Sequence, residues 1–404
     1  MSKTFTSPHT RRVVVTHATR TPIGRFLGSF ADLSCVDLGV AAVEGLFAQA
    51  DLDPSLVDGT ILGVGRQAGS GPNPARQVAV RSGVPVERTA WTMNMACASG
   101  LKTLNLATLD IAAGRADVMV VGGMESMSGL PHMLPKMRQG YRLGHAKVVD
   151  GMYKDGFVCP IADMVMGETA EKLAKQYEIG REEQDAFAMA SQHKSQAARE
   201  ADHTPVEITP VTVKTRKGEV LVEHDEHVRD DVTMASLAKL PTVFDKEAGS
   251  VTPGNASGIT DGAAALLVMS LDKALELGHT PLAEVGFQSE AGVDPTIMGI
   301  GPVPTCQDLF SQSGLQMDDF DLVELNEAFA AQVIACDREL SIPADRLNVN
   351  GGAISLGHPI GATGARIVVT LLHELQRRDA AHGLATLCVS GGMGIGTTFH
   401  RGAF

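Results

Sequence analysis

Residues 91–124 read WTMNMACASGLKTLNLATLDIAAGRADVMVVGGM. Trp91–Met95 has the composition of a short strand. It leads directly into Ala98–Ala113, where Leu101, Leu104, Leu109 and Ile111 give a largely apolar helix that Gly114 stops. Asp117–Val121 (DVMVV) is again a β-rich run and ends in Gly122-Gly123. Strands alternating with helices argue for an α/β fold. Cys97 falls between the strand end and the helix start. Unpaired backbone N–H groups and the helix dipole favour negative charge there, which lowers a thiol pKa and supplies the thiolate. The competing use of such a residue is as a buried structural cysteine.

Outward from this unit, Arg12–Thr16 (RVVVT) reads as a buried strand, Cys35–Ala50 as a helix, Thr60–Val64 as a strand and Pro74–Ser82 as a helix. After Met124 the pattern changes. As far as Val251 the chain is rich in Met, Gly and charge. Helices are expected over Met166–Gln176 and Glu182–Ala201, and a hairpin in VTVKTRKGEVLVEHD. This region reads as a cap inserted in the first domain. Ala263–Met269 returns to buried-strand composition, and a second α/β block runs from Pro281 to Phe404. Its Ala385–Met393 (ATLCVSGGM) echoes Asp117–Met124. Each copy follows a helix that is preceded by a Gly/Ala/Ser-rich turn carrying a reactive residue, Cys97 in one and His358 in the other. The expected organisation is a first half at 1–124 completed by 252–278, an inserted cap at 125–251, and a second half at 279–404.

A chain of 404 residues is long for one core, so two or three domains are expected. Aromatics are only 4%, so the cores must be built from Ala, Val, Leu, Ile and Met. The net charge of −13 argues against nucleic acid and anionic membrane as partners, because both need a basic footprint. Lys136, Arg138, Arg142, His145 and Lys147 could concentrate positive charge for an anionic ligand, or simply form a solvated loop. The six cysteines contain no C-x-x-C pair, which speaks against zinc, and a disulfide framework is not expected in a chain this long. The N-terminal MSKTFTSPHTRR lacks the apolar run of a leader, and no stretch is apolar enough to span a membrane. The cytoplasm is the expected compartment, where a free thiol can remain a nucleophile.

Three further segments carry chemistry. Asn350–Gly364 (NGGAISLGHPIGATG) holds five glycines, so its backbone can approach a ligand closely, and His358 within it could accept a thiol proton. Cys388-Val389-Ser390-Gly391-Gly392-Met393-Gly394 delivers a second thiol to the edge of a glycine-rich turn. Glu324-Leu325-Asn326-Glu327-Ala328-Phe329 places Asn326 at a strand–helix junction, either as a helix cap or to hold a water or orient a carbonyl.

Together with RTPIGRF and GNASGITDGAAA, the motifs CASG, NEAFAA, NGGAISLGHPIGATGAR and CVSGGMG resemble the thiolase family over nearly the whole chain. The resemblance implies a layered αβαβα fold of two duplicated halves with an inserted cap, and dimers or tetramers, the latter assembled through the cap. It implies that Cys97 is acylated, and that His358 deprotonates it and contributes to an oxyanion site with a water held by Asn326. Cys388 would move the α-proton of the attacking acyl-CoA. A second oxyanion hole would come from backbone N–H groups of Cys97 and of Ser390, Gly391 and Gly392. Ser257 would lie beside the pantetheine arm, with Arg229 and Ser236 towards the CoA nucleotide. Met166, Ala328 and Phe329 would complete the substrate-binding set. No metal or redox cofactor is implied; CoA thioesters are the substrates, in fatty acid metabolism.

Two departures stand out. The family usually has Cys-x-Gly where this chain has Cys388-Val389-Ser390. Many short-chain members have His where Val165 precedes Met166-Gly167. The CASG and GHPIGATG segments favour an acetoacetyl-CoA thiolase over a degradative enzyme for longer chains. A ketoacyl-carrier-protein synthase would need a different His/Asn set, and a dead binding protein would lack reactive positions that are all present here.

Overall fold

Strand β1 (Val13–Arg20) is buried on both faces: Val13 and Val15 enter one core and Val14 another. Side chains alternate along a strand, so burial on both sides demands an unbroken apolar run. The same division holds in β4 (Val118–Glu125), with Met119 and Val121 on one side and Val118 and Val120 on the other. It holds again in β5 (Thr260–Ser270), with Leu266 and Val268 opposite Leu267 and Met269. The computed structural model describes residues 7–404; the first six, which begin the N-terminal stretch read above, lie outside the described residues.

The remaining strands are β2 (Gly59–Gly63), β3 (Thr89–Met93), β6 (Ala283–Gly292), β7 (Leu322–Leu325), β8 (His382–Val389) and β9 (Met393–His400). They form one mixed sheet in the order β7-β8-β9-β6-β1-β5-β4-β2-β3, with a short Gly24–Arg25 strand paired to β5. The halves join where Val14 and Val15 pair with Glu284 and Ala283. On the first side of this seam the order is β1-β5-β4-β2-β3. On the second it is β6-β9-β8-β7, followed by a single parallel bridge from Val323 to Leu347. The topology therefore repeats. The Gly-Gly-Met echo is nevertheless out of register. Gly122 and Gly123 continue β4 to Glu125, whereas Gly391 and Gly392 have φ of 92° and 84° and form the turn between β8 and β9.

Helices complete the layers. Helices α1 (Cys35–Ala50) and α2 (Pro74–Arg81) cover the outer face of the first half. A capping box starts α1, the Ser34 hydroxyl accepting from the Asp37 N–H at 3.1 Å and Asp37 accepting from the Ser34 N–H at 3.0 Å. Helix α3 (Ser99–Ala112) packs in the middle layer against the long helix α8 (Ile360–Arg378), sharing one apolar core. Helices α4 (Met166–Gln176), α6 (Pro302–Ser313) and α7 (Ala330–Leu340) cover the other outer face, and α5 (Arg181–Glu200) packs beside α7 through Ala188 and Ala330. The result is an αβαβα stack. Leu101, Leu104 and Ile111 are buried as their spacing predicts, but Leu109 lies on the exposed side of α3.

The α3–α8 crossing depends on two glycines. A Cβ on Gly100 would lie 2.6 Å from the Ala365 nitrogen, and one on Gly364 would lie 2.4 Å from the Leu101 nitrogen. The segment carrying Glu207 and Asp225 is tied to β1 by charge. Arg20, almost wholly buried, donates to Glu207 at 3.0 Å and to Asp225 at 2.8 Å. No helix among the described residues is long and apolar enough to cross a membrane.

Candidate active site

Cys97 lies on a 3-10 turn, Ala96–Ala98, between β3 and α3. The strand ends at Met93, earlier than the sequence suggests, because the chain must turn sharply before the helix. Ala96 has φ 46°, a left-handed conformation that costs a residue with a Cβ about 1–2 kcal/mol. Local hydrogen bonds hold it. Asn94 accepts from the Ala96 N–H at 2.9 Å, and the Ser99 hydroxyl accepts from the Met95 N–H at 2.9 Å while donating to the Ala96 carbonyl at 2.7 Å.

His358 follows Gly357, whose φ of 105° turns the chain after the short Ala353–Leu356 helix. The His358 N–H donates to the Gly258 carbonyl at 3.1 Å. The imidazole Nδ1 lies 2.6 Å from the Thr363 hydroxyl, and that hydroxyl lies 3.0 Å from the Pro359 carbonyl, which can only accept. The hydroxyl proton is thus committed, and Nδ1 carries the proton that Thr363 accepts. That leaves Nε2, which has no protein partner, as the basic nitrogen. Burial, then the charges of Arg366 and Arg66, push the imidazole down to about 3, so it is neutral at rest.

Cys388 lies near the end of β8, paired with Gly394, and is 1% exposed. Burial, the neighbouring Cys97 and Cys336 raise it well above an ordinary thiol. Cys97 is also raised rather than lowered. Burial dominates, opposed by Arg66 and by hydrogen bonds from the Ser390 N–H and its own N–H. The expectation of a resting thiolate at a helix start is therefore corrected. The dipole is outweighed by desolvation, and the thiol must hand its proton to a base.

Cys97, His358, Cys388 and Ser390 line one cavity of about 390 Å³. Met166, Ala328, Phe329, Ser257 and Arg229 line it too. The loop carrying Ser257 is fastened to the segment carrying Phe329: Ser257 N–H donates to Ala328 at 3.0 Å, and Ala330 N–H to Asn255 at 2.9 Å. Met298, Phe244 and Ala256 make an apolar wall with Met166 and Phe329 beside Cys388.

Other expected residues stand differently. Ser236 is not in the cavity wall; its hydroxyl closes a capping box with Thr233, accepting at 2.9 Å and donating at 2.8 Å. Gly392 gives its N–H to the Val389 carbonyl at 3.3 Å to close the hairpin, and neither it nor Gly391 lines the cavity. Of that turn, Ser390 is the residue that reaches Cys97, so replacing the family's glycine by serine leaves the backbone donor in place. Asn326 is 0% exposed, outside the wall, and both polar atoms of its carboxamide lack a protein partner. It caps no helix, since the residue before α7 is Phe329. Val165 lines the wall and precedes α4. The basic loop of Lys136, Arg138, Arg142, His145 and Lys147 is exposed and apart from the cavity.

Two residues escape a reading of the sequence. Glu125, at the end of β4, accepts backbone N–H groups of Gly65 at 3.0 Å, Arg66 at 3.1 Å and Gly361 at 2.9 Å. It binds the loop after β2 to the start of α8, and burial pushes its carboxyl up to about 7. Arg66 lines the cavity. Neither sits in a motif with a chemical signature; an acid directly after a buried strand was the available signal for Glu125.

Paired thiols, a neutral imidazole with one free nitrogen, and backbone donors on a thiol, all on one mainly apolar cavity, suit transfer of an acyl group through cysteine. The family whose profile is described as "Thiolase, N-terminal domain" matches residues 13–272, and "Thiolase, C-terminal domain" matches residues 279–401. Acetyl-CoA acetyltransferase of Pseudomonas aeruginosa is 52% identical over 390 residues, covering 96% of this chain and 99% of that one. The solved acetyl-CoA acetyltransferase of Bacillus anthracis superposes with a TM-score of 0.95 at 43% identity, covering 98% of this chain and 100% of the other. Human mitochondrial 3-ketoacyl-CoA thiolase in complex with CoA gives a TM-score of 0.93 at 38% identity, covering 97% and 98%. This chain belongs to the thiolase family and is an acyltransferase.

Proposed function

We propose that the enzyme is an acetyl-CoA C-acetyltransferase, interconverting two acetyl-CoA with acetoacetyl-CoA and CoA through an acyl-Cys97 intermediate. The observation that carries this reading is the single cavity lined by Cys97, His358 and Cys388, with the Ser390 N–H on the Cys97 sulfur. The names of the relatives support the acetyl substrate.

In this mechanism His358 Nε2 takes the Cys97 proton as the sulfur adds to the thioester carbonyl. The resulting oxyanion faces the N–H groups of Cys97 and Ser390; such donors contribute about 2.7–4 kcal/mol each. Collapse breaks the bond to the CoA sulfur, which leaves with the proton of Cys388. Cys388 is now the thiolate. It removes the α-proton of a second acetyl-CoA, and the carbanion attacks the acetyl group on Cys97. The new C–C bond forms, the Cys97 sulfur departs, and it recovers its proton from His358. Every step moves a proton or an acyl group, so the sequence calls for no electron acceptor. Asn326, with an unpartnered buried carboxamide, is assigned the polarising of an oxyanion through a water. Arg229, exposed and lining the cavity, is assigned to the CoA nucleotide, and Ser257 to the pantetheine arm.

The halves are assigned as 1–124 with 252–278, the cap as 125–251, and the second half as 279–404. We further infer a homo-oligomer, a dimer or tetramer, meeting through the cap, whose Leu134, Met137, Leu143 and Ile161 are exposed. A cytoplasmic place in fatty acid metabolism fits the bacterial relatives.

Thiolysis rates with acetoacetyl-CoA and with a longer 3-ketoacyl-CoA test the chain-length assignment. Faster turnover of the short substrate is expected. Faster turnover of the longer one would assign the enzyme to degradative thiolysis, for which Val165 in place of histidine leaves the wall apolar.

A further inference from the structure

Arg66 is 6% exposed and lines the cavity together with Cys97 and His358. Its side chain is held by two carbonyls, Gly65 at 2.9 Å and Gly156 at 3.1 Å, and Nε has no hydrogen-bond partner. The cap closes on it, since a Cβ on Gly156 would lie 2.6 Å from Nε. Glu125 takes the Arg66 backbone N–H, and no carboxylate among the described residues makes an ion pair with the guanidinium. An arginine side chain does not lose its proton in proteins. A buried charge is costly unless an opposite charge faces it.

Carbonyl dipoles and the field of the neighbouring Glu125, whose own carboxyl is raised by burial, compensate only part of that cost. On the same cavity wall two sulfurs become anions in turn during the proposed reaction, Cys97 and Cys388, and it is the Cys97 sulfur on which the Arg66 charge acts. The titratable and charged groups around it are Arg66, Glu125, His358 and Cys388. Glu125 opposes a thiolate and His358 is neutral at rest, so Arg66 is the permanent cation in the set.

We propose that Arg66 is the resident counter-charge of the Cys97 thiolate, a positioning residue anchored by the Gly65 and Gly156 carbonyls so that its field falls on the sulfur. This inference rests on the assignment of Cys97 as nucleophile. It also gives Gly156 a function: a side chain there would displace the guanidinium. The same charge disfavours an imidazolium at His358, so Nε2 is unprotonated at rest but a weaker base, and the benefit of Arg66 falls on the sulfur anion.

The test is alkylation of the full-length enzyme by neutral iodoacetamide and anionic iodoacetate across pH, with the modified residue read from peptide masses. Arg66→Met is expected to raise the apparent pKa of Cys97 modification by about one to two units. It should also lower the iodoacetate-to-iodoacetamide rate ratio about tenfold, which a purely structural disturbance would not do selectively. Arg66→Lys should keep both near the parent values. Gly156→Ala should shift both in the direction of Arg66→Met, and it decides the matter if Arg66→Met does not fold. Cys97 modified in Arg66→Met, or failing that in Gly156→Ala, with the parent's pH profile and ratio would overturn the proposal while leaving Cys97 as nucleophile intact. A parent enzyme alkylated elsewhere but not at Cys97 would overturn the nucleophile assignment, and this inference with it.

Discussion

The Nδ1 of His358 lies 2.6 Å from the hydroxyl of Thr363, one turn into the helix that the histidine introduces. The contact fixes which imidazole nitrogen is basic. Thr363→Val removes the acceptor with little change of shape, leaving a buried N–H unpaired and the tautomer unspecified. The expected result is a fall in kcat of about 10²-fold with KM changed far less, and recovery in Thr363→Ser. Steady-state thiolysis of acetoacetyl-CoA measures both constants. Wild-type kcat in the valine variant would remove the hydroxyl from the mechanism.

The two thiols should separate on substitution. Cys97→Ala is expected to form no acetyl adduct when incubated with acetyl-CoA. Cys388→Ala should still be acetylated at Cys97, more slowly because the departing CoA sulfur loses its proton donor, but lose C–C bond formation by about 10²–10⁴-fold. Intact-protein and peptide mass spectrometry reads the adduct, and a coupled condensation assay reads the bond. An adduct on Cys388 in the wild-type enzyme would reverse the two roles.

The pH dependence follows from the depressed imidazole. His358 titrates at about 3 in the folded protein, against an ordinary 6.5, so it is neutral, and able to accept a proton, above about 3. The kcat/KM of the acylation half-reaction should therefore show no acid limb near pH 6.5. The unfolded chain binds this proton more readily, so His358 contributes stability that falls as pH drops from about 6.5 towards 3. A pH–rate series on the free enzyme checks the first statement. An acid limb centred near 6.5 that disappears in a His358 variant would contradict it.

Gly100→Ala tests the central crossing. The added Cβ would lie 2.6 Å from the Ala365 nitrogen and 3.1 Å from its Cβ, so α3 and α8 must move apart. Overpacking of this kind costs about 1–3 kcal/mol. Denaturant unfolding should show that loss, with kcat reduced as well because both helices begin beside reactive residues. Unchanged stability would mean that the helices can separate freely.

Periodicity went far towards the fold. The bounds of α1 and α4 were legible residue for residue, because each has a clear apolar face and a sharp change of composition at its ends. β4 was cut short at Val121, because two glycines read as a turn while sheet pairing with Ala264 and Ala265 carried the strand on to Glu125. Leu109 was counted as core because its type suggested burial, yet its position on α3 faces outward.

The sequence by itself determined which side chains are proposed to react. Motif and composition name Cys97, His358 and Cys388, and alternation names the buried strands, since both are properties of residue type and local spacing. Only the tertiary structure decided the state of those groups. Whether a thiol is raised or lowered depends on the desolvation and charges gathered around it from residues remote in sequence, here Arg66, Glu125 and Ser390 about Cys97. The free nitrogen of His358 was settled by a hydroxyl and a carbonyl in one turn of helix. Such contacts are set by how two repeated halves fold over one another, and no local pattern encodes them.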